Sequence, residues 1–262
     1  MQKILGYMRK AVQEFQLLSD GDRVAVGVSG GKDSVVLLTG LERLRSFIGI
    51  DFTVVGITLD PHFGGEPGDY RAIEALAAKR KIEYHIVPTE IGPIVFDHRK
   101  EEHPCSLCAR LRRGALQTAA ESFSCNKLAL GHHYNDAVET FVMNLFREGR
   151  IGCFSPMTKL DGKNLTVIRP LVLAPEADIR RAAAREGLPI VKNKCPADGT
   201  TTRQETKEWL AEMERKDRGF TYRLFGALRR SGIDGWGYPE KESSCRKKAA
   251  FSMESEVKNE DV

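Results

Sequence analysis

The sequence predicts an α/β fold, with an open, mainly parallel five-stranded sheet, helices on both faces and a small helical part near the C-terminal end. Short apolar segments alternate along the chain with longer segments whose apolar residues recur at helical spacing, which is typical of a parallel sheet wrapped by helices. The first apolar segment also runs through a glycine-rich turn directly into a helical pattern. With 262 residues, the chain is long enough to bury a full core.

The individual elements follow from local patterns. An opening helix is predicted because Ile4, Met8 and Val12 share one apolar face with Leu5 and Phe15. Five strands are predicted at residues 23–28, 52–59, 84–87, 127–130 and 165–168. Later helices are predicted to begin at Pro175 and Glu176, with Gly187 closing that helix, and at the capping box formed by Thr202 and Glu205.

These elements suggest a division of the chain into three parts. Residues 1–215 are predicted to form the main domain, with an inserted cysteine-containing segment, and residues 216–240 a C-terminal extension. Residues 241–262 are polar, charged and small, which predicts a loosely ordered tail.

Composition narrows the class of protein. The formal net charge of +4 permits an RNA partner without requiring one, and the arginine clusters along the chain fit either RNA contacts or solvated helix faces. No apolar run approaches the ~20 residues of a membrane span, and the first residues lack the pattern of a signal peptide. We therefore expect no membrane association and a cytoplasmic location.

The turn after the first strand has the chemistry of a phosphate-binding loop. Glycines let anionic oxygens approach the main chain, serines offer hydroxyl donors, and the following helix directs its first amides and its positive dipole end at a ligand. The spacing matches neither the GxxxxGK[ST] loop nor the GxGxxG turn. Its residues are Ser29, Gly30, Gly31, Lys32, Asp33 and Ser34.

Two more candidate positions follow predicted strands, and the carboxyl ends of parallel strands are where open α/β sheets bind ligands. Asp60 ends the second strand, where a carboxylate can meet a ribose or a nucleotide amine. Gly131 opens the motif Gly-His-His-Tyr-Asn-Asp, which ends at Asp136. Asp136 and Glu139 suit either helix capping or a magnesium or nucleotide site.

Cysteines form the second constellation. Cys105 and Cys108 make a CxxC pair, which in a cytoplasmic chain indicates metal or redox chemistry rather than a structural disulfide. Cys195 supplies a third thiol. With His103 as a fourth ligand the set would suit zinc, whereas three thiolates alone would suit an iron–sulfur cubane with one open iron. The remaining cysteines are interpreted as two buried residues and one incidental residue of the tail: Cys125, Cys153 and Cys245.

Taken together, these motifs resemble one known family. The resemblance covers residues 1–215 and is carried by residues 21–28, 29–34, 105–114, 131–136 and 168–171. They are similar to the TtcA family within the PP-loop ATP pyrophosphatases, whose fold is adenine nucleotide alpha hydrolase-like. That family makes 2-thiocytidine in tRNA.

The resemblance implies a reaction in two stages. ATP would adenylate the C2 oxygen of a tRNA cytidine, at position 32 in the family, and a sulfur nucleophile would then displace AMP. The implied cofactors are ATP, Mg²⁺ and a 4Fe-4S cluster. The implied partners are tRNA and a sulfur donor such as a cysteine desulfurase or free sulfide, and a homodimer is possible for an enzyme of this size.

The resemblance also implies roles for individual residues. Asp33, Lys32 and three cysteines would be catalytic, with Cys105, Cys108 and Cys195 holding the 4Fe-4S cluster. Asp33 and Asp136 would hold Mg²⁺. ATP would be bound by Ser29, Gly30, Gly31, Lys32, Asp33, Ser34, Asp60, Gly131 and Asp136, and RNA by Arg112, Arg113 and Arg169.

Two positions depart from the family pattern. Asn135 stands where relatives often have a first aspartate, and the residues around Cys195 differ from the Cys-Gly-Ser type. Three alternatives therefore stay open. The first is a PP-loop sulfurtransferase or ligase with zinc at the cysteines, acting on another nucleoside or a small molecule. The second replaces the cluster with a cysteine persulfide, and the third is a non-catalytic RNA-binding module.

Overall fold

The computed structural model describes residues 1–98, 104–191, 195 and 202–237. The helices are α1 Gln2–Phe15, α2 Lys32–Leu44, α3 Arg71–Lys79, α4 Pro104–Ser122, α5 Tyr134–Arg147, α6 Glu176–Arg185, α7 Thr202–Lys216 and α8 Phe220–Arg230. The strands are β1 Asp22–Gly27, β2 Phe52–Asp60, β3 Glu83–Pro88, β4 Lys127–Ala129, β5 Met157–Lys159 and β6 Thr166–Ile168. Short 3-10 turns lie at Phe63–Gly65 and Ile233–Gly235, and a π-helical turn at Pro93–His98. His103, Cys245 and the predicted tail 241–262 lie outside the described residues.

The strands form one sheet in the order β3-β2-β1-β4-β6-β5. All neighbouring pairs are parallel except β5 and β6, which run antiparallel. The predicted fold class is confirmed, with a sixth strand that the sequence did not indicate. That strand, β5, has only three residues and lies at the sheet edge with two of them exposed, so it carries no hydrophobic alternation.

Strand order reverses between β1 and β4. The chain goes from β1 outward to β2 and β3 on one side, whereas β4 pairs with the other side of β1. The carboxyl ends of β1 and β4 therefore open into the crevice where such sheets bind ligands. Both candidate turns of the sequence follow these two strands.

Helices cover both faces of the sheet. Successive side chains of β1 point to opposite faces, so Val24 and Val26 join one buried cluster and Ala25 joins another. The larger cluster packs α1, α2, α5, α6 and α8 against the sheet, and the smaller one packs α4 through Ala119 and Ala120. This confirms the prediction, made from the alternating pattern, that helices cover both faces of the sheet.

Two predicted helices are confirmed in detail. Helix α1 buries Ile4, Met8 and Val12, and α6 starts after its N-cap Pro175. Gly187 follows α6 at a φ of 58°, the left-handed region where glycine has no steric penalty. Within the described residues, no helix is long and apolar enough to cross a membrane.

The C-terminal part is helical and packs into the main core. Trp236 is 1% exposed and its ring meets those of Phe15, Phe154 and Phe225. Its indole nitrogen donates to the carbonyl oxygen of Phe154 at 2.8 Å. The segment after α7 thus packs into the core formed by the preceding residues. The domain boundary at residue 215 stays a prediction.

Candidate functional site

The loop between β1 and α2 is held in shape by its own side chains. Gly30 has a φ of +85°, a conformation that L side chains rarely adopt. The amide of Ser29 donates to Oγ of Ser34 at 3.1 Å, the two hydroxyls meet at 3.2 Å, and Oγ of Ser34 donates to the carbonyl oxygen of Gly31 at 2.9 Å. The loop therefore presents a fixed turn at the N-terminus of α2, a position that favours anions.

Asp33 has one occupied and one open carboxylate oxygen. Its Oδ2 accepts a hydrogen bond from Nζ of Lys32 at 3.1 Å. Its Oδ1 is buried without a hydrogen-bond partner among the described residues, and Nε2 of His133 lies 3.7 Å away. A buried carboxylate oxygen without a donor is costly, and a magnesium ion or a ligand donor would satisfy it.

Lys32 lies between two carboxylates. Its Nζ is 3.1 Å from Oδ2 of Asp33 and 3.0 Å from Oε1 of Glu176, the first residue of α6. Burial acts to lower the pKa of Lys32, but the charges of Asp33 and Glu176 outweigh it and raise that pKa. The side chain is therefore a fixed cation at the edge of the loop.

The turn after β4 lies against the loop after β1. A Cβ added at Gly131 would lie 3.2 Å from backbone atoms of Asp33 and Ser34, so a larger residue would push the two turns apart by a few tenths of an ångström. His133 caps α5 reciprocally with Asp136: its backbone amide donates to Oδ2 of Asp136 at 2.9 Å, and its Nδ1 accepts from the Asp136 amide at 3.3 Å.

The other oxygen of Asp136 is also in use, because Nη1 of Arg203 donates to Oδ1 at 3.3 Å. Both oxygens of Asp136 thus have protein partners, whereas Oδ1 of Asp33 has none among the described residues. The ring of His133 also lies between the two carboxylates, 3.7 Å from Asp33 and 3.4 Å from Asp136. In this arrangement Asp33 is the better placed of the two predicted magnesium ligands.

Asp60 holds the loop that follows β2. It is 4% exposed, and its carboxylate accepts hydrogen bonds from the backbone amides of His62 at 3.3 Å and Gly68 at 2.9 Å. Asp60 also lines a small cavity of about 40 Å³ together with Ser29 and Arg112. Asp60 therefore stabilises the loop after β2, and its predicted contact with the nucleotide would have to be made from that position.

A single larger cavity joins the two turns to the predicted RNA residues. Its volume is about 670 Å³, within the usual range for small-molecule sites. Arg112 and Arg113 reach it from α4 and Arg169 from the residue after β6. On the side of the loop it is lined by Ser29, Asp33, Ser34, Gly131 and Asp136.

Arg169 is anchored in this cavity wall. Its Nη1 donates to the carbonyl oxygen of Ser155 at 2.5 Å, and its guanidinium lies 5.0 Å from the ring centre of Phe154. Burial is the main cause that lowers the pKa of Arg169 to about 10, with a smaller contribution from the charge of Arg113 and an opposing one from Cys153, so the group stays protonated at neutral pH. Two neighbouring cations in a cavity favour an anionic ligand such as a phosphate.

The three predicted cluster cysteines differ in their exposure. Cys105 is exposed, Cys108 is buried and Cys195 is half-buried, and no disulfide joins the described cysteines. Burial raises the pKa of Cys108 most, and the charges of Cys195 and Cys105 raise it further, whereas Arg112 acts to lower it.

Cys195 is also tied to the phosphate loop. The amide of Val191 donates to the carbonyl oxygen of Gly30 at 3.0 Å, and Val191 shares the smaller cavity with Ser29 and Arg112. Four residues of chain span at most about 14 Å, so the backbone of Cys195 lies within that distance of Val191. The third cysteine is therefore four residues away from a direct contact with the phosphate loop.

The donor set matches the chemistry of iron, since soft thiolates select iron–sulfur clusters. In the part of the chain described, however, no three histidine, cysteine or acidic side chains are close enough together to hold a metal ion. The other interpreted cysteines behave as expected, because Cys125 and Cys153 are both buried. Burial raises the pKa of Cys153 to about 12, which keeps it a neutral thiol.

Comparison with known proteins agrees with this geometry. A family model described as a PP-loop domain matches residues 5–213. A relative from Pelobacter propionicus is 42% identical over 210 residues, covering 79% of this chain and 77% of its own length. One from Geobacter sulfurreducens is 38% identical over 229 residues, covering 86% and 88%. Both are named tRNA-cytidine(32) 2-sulfurtransferase.

The chain belongs to this PP-loop family. The membership predicted from the sequence motifs is confirmed. Among solved structures, the U34-tRNA thiolase NcsA from Methanococcus maripaludis with its 4Fe-4S cluster matches with a TM-score of 0.70 at 25% identity. The match covers 85% of this chain and 76% of that one.

The sequence did not indicate every residue of the site. Glu176 was interpreted only as a helix start, although it holds Lys32. Oδ1 of Asn135 accepts a hydrogen bond from the backbone amide of Glu176 at 2.9 Å. The residue that departs from the family pattern therefore links α5 to α6. His132 and Phe154 line the cavity beside Arg169. For His132 the signal was available, since it stands in the Gly-His-His motif of this family.

Proposed function

We propose that this chain is an ATP-dependent tRNA sulfurtransferase that adenylates the C2 oxygen of the cytidine at position 32 and replaces that oxygen with sulfur. The observation that carries the proposal is the cavity in which the phosphate loop, Asp33 and three arginines meet. The names of the curated relatives support this substrate, and the structural match to a tRNA thiolase supports the reaction class.

The first stage is activation of a poor electrophile. The amides at the start of α2 and the hydroxyls of Ser29 and Ser34 bind the triphosphate, and Lys32 holds its charge at the edge of the loop. The C2 oxygen attacks the α-phosphorus, and pyrophosphate leaves. Asp33 offers its open oxygen to a magnesium ion, which would screen the phosphate oxygens when bound.

The second stage replaces the activated oxygen. Hydrogen sulfide ion attacks C2, the bond from C2 to oxygen breaks, AMP leaves with that oxygen, and a proton is released. Cys105, Cys108 and Cys195 would hold the cluster, which supplies a soft iron site for sulfide. Arg112, Arg113 and Arg169 would position the RNA backbone or the phosphates of ATP.

The remaining residues complete the proposed ATP site. Asp60 would reach the nucleoside from its loop, and Gly131 and Asp136 would close the site on the side of β4. We further propose a catalytic domain at residues 1–215, which the family match over residues 5–213 supports, with residues 216–240 as an extension. A homodimer, a cytoplasmic location and sulfur supply by a cysteine desulfurase or free sulfide also belong to this proposal.

Mass spectrometry of tRNA nucleosides tests the substrate. Cells that lack this protein are expected to lose 2-thiocytidine, and a plasmid copy of the gene is expected to restore it. Loss of a different thiolated nucleoside would instead identify another acceptor. Unchanged 2-thiocytidine would contradict the proposal.

The colour of anaerobically purified protein tests the cluster. Broad brown absorption with iron and acid-labile sulfide is expected. A colourless protein containing zinc would contradict sulfur delivery at an iron site. A colourless, metal-free protein that remains active would favour a cysteine persulfide in its place.

A further inference from the structure

His132 is a histidine of the cavity wall to which the reaction above assigns no role. It follows β4 directly and lines the 670 Å³ cavity together with Asp33 and Arg169. Its ring stacks on Phe154, with centroids 5.0 Å apart and an angle of 28° between the planes. Its Nδ1 accepts a hydrogen bond from Nε of Arg169 at 3.1 Å.

This hydrogen bond fixes where the imidazole proton lies. A guanidinium can only donate, so Nδ1 of His132 must be unprotonated, and the neutral ring carries its proton on Nε2. Burial and then the charge of Arg169 lower the pKa of His132 to about 4, so the ring is neutral at physiological pH. Arg169 is itself held by Ser155, and changing the tautomer would break its bond to His132.

The Nε2 group is therefore a donor that cannot become an acceptor. Within the described residues, the contacts of His132 are the bond to Arg169 and the stack on Phe154, so Nε2 has no protein partner there. A nucleobase in this cavity can take that hydrogen bond. It would do so beside the loop where the α-phosphorus has to be attacked.

We propose that Nε2 of His132 donates a hydrogen bond to N3 of the target cytosine and thereby selects cytidine over uridine. This inference rests on the proposed function. Cytosine N3 carries a lone pair, whereas uracil N3 carries a hydrogen and would face the imidazole with a second donor. A site built for one hydrogen-bonding pattern rejects a base that leaves its buried group unpaired.

The reacting atom argues for N3 rather than O2 as the acceptor. The C2 oxygen attacks phosphorus with one of its two lone pairs, and an imidazole that donated to the other would withdraw electron density from the attacking atom itself. A bond to the adjacent N3 holds the base in the same plane and leaves both lone pairs of the oxygen without a hydrogen bond. His132 is thus a specificity-determining contact, with Arg169 as the positioning residue behind it.

Two substitutions of His132 distinguish recognition of the base from the hydrogen bond with Arg169. In His132→Asn, the side-chain oxygen takes the place of Nδ1 and still accepts from Arg169, but no donor stands at the Nε2 position. In His132→Gln, the amide nitrogen reaches the Nε2 position and can still donate. The substrates are anticodon stem-loops with cytidine, uridine or 3-deazacytidine at position 32, the last having a C–H group in place of N3.

Pyrophosphate release by the full chain gives kcat/KM for each pair. Wild type is expected to lose about 10- to 100-fold more on going from cytidine to 3-deazacytidine than His132→Asn does, and His132→Gln is expected to recover part of that sensitivity. The intrinsic reactivity of the analogue is the same with every enzyme, so it cancels from the comparison. Wild type is also expected to turn over the uridine loop at least about 100-fold more slowly than the cytidine loop.

Equal losses on 3-deazacytidine for wild type and His132→Asn would overturn the contact between His132 and N3. If the Asn variant fails to fold, wild type alone decides, because equal turnover of uridine and cytidine loops also overturns the proposal. The absence of pyrophosphate release by wild type with the cytidine loop would instead overturn the proposed function, and this inference with it.

Discussion

Asp33 and Asp136 are both carboxylates at the same edge of the sheet, yet their surroundings divide their roles. Asp136 has Oδ2 on the backbone of His133 and Oδ1 on Arg203, so it fixes the start of α5. Asp33 leaves Oδ1 buried and without a donor in the described part of the chain. At the scale of single residues, Asp33 is therefore the carboxylate with an oxygen open to a ligand.

Replacement of Asp33 by asparagine is expected to lower ATP-dependent pyrophosphate release by about 100-fold or more, since the carboxylate that would hold the magnesium ion is lost. The unfolding midpoint is expected to change little, because Oδ1 makes no hydrogen bond inside the described structure. Pyrophosphate assays and urea unfolding measure the two effects. Asp161→Asn, at an exposed position between β5 and β6, is the matched control and is expected to behave like wild type.

At the scale of elements, the N-terminus of α6 is a junction between helices. Its first residue, Glu176, accepts from Lys32 of α2 and from Lys207 of α7, both at 3.0 Å. Its backbone amide donates to Asn135 of α5. Four helices therefore meet at Glu176, three of them through its carboxylate and α5 through its backbone amide.

Glu176→Gln is expected to destabilise the fold by about 2 kcal/mol at pH 7. Burial alone would raise the pKa of Glu176, but hydrogen bonds from Lys207 and Lys32 outweigh it and lower the pKa to about 2, from 4.5. A carboxyl whose folded pKa is depressed stabilises the protein above its unfolded pKa and loses that contribution as the pH falls toward the folded value.

The gap between Glu176→Gln and wild type should therefore stay constant from pH 7 to about pH 5 and narrow below about pH 4.5, as measured by urea unfolding at each pH. Glu212→Gln removes an exposed ion pair with Lys216 and serves as the control. It is expected to leave stability unchanged, since such surface pairs contribute little. A gap that widens in acid would contradict the assigned role of Glu176.

At the scale of the whole molecule, the sheet brings together two chemistries that are far apart in sequence. The phosphate loop follows β1, the CxxC pair lies on α4, and Cys195 lies beyond α6. Arg112 of α4 shares both cavities with Ser29, and Val191 ties the segment before Cys195 to Gly30. The two segments that carry the cysteines thus approach the phosphate loop through Arg112 and Val191, and the cysteines and the phosphate loop are different residues.

The two sites are therefore expected to be separable. Cys195→Ser should lose bound iron, and with it thiolation, while ATP binding is retained. Anaerobic iron analysis together with equilibrium ATP binding measures both properties, and Asp33→Asn should show the converse pattern. Cys125→Ser, at a buried cysteine outside the predicted cluster, is the control for losing a thiol and is expected to keep its iron. Joint loss of both properties in either site variant would show that the sites are not separable.

RNA binding is expected to depend on the basic wall of the cavity. Arg113→Gln should weaken tRNA binding and reduce the slope of log K against log salt by about 0.7 to 0.9, the value for one lost phosphate contact. Arg71→Gln on α3 removes the same charge from a highly exposed arginine paired with Asp69, and it should leave the slope unchanged. Equal slopes for Arg113→Gln and wild type, measured by filter binding, would exclude that contact.

Local patterns in the sequence were sufficient to predict most secondary-structure elements and the phosphate-loop half of the site. The apolar periods and the turn residues specify five strands and the loop from Ser29 to Ser34, because these depend on neighbours within a few positions. The edge strand β5 was not predicted because two of its three residues are exposed, whereas the equally short β4 and β6 each bury two residues. The family motifs extended the prediction of site residues to the cysteines and arginines, whose roles remain predictions.

Only the tertiary structure decided which of these groups meet. His132 and Arg169 are 37 positions apart, and Lys32 and Glu176 lie on different helices, so no local pattern relates them. Their contacts exist because strand order reverses between β1 and β4 and brings two turns and the end of β6 to one crevice. Residue spacing along the chain determines each element, whereas the order of strands in the sheet determines which side chains share a cavity.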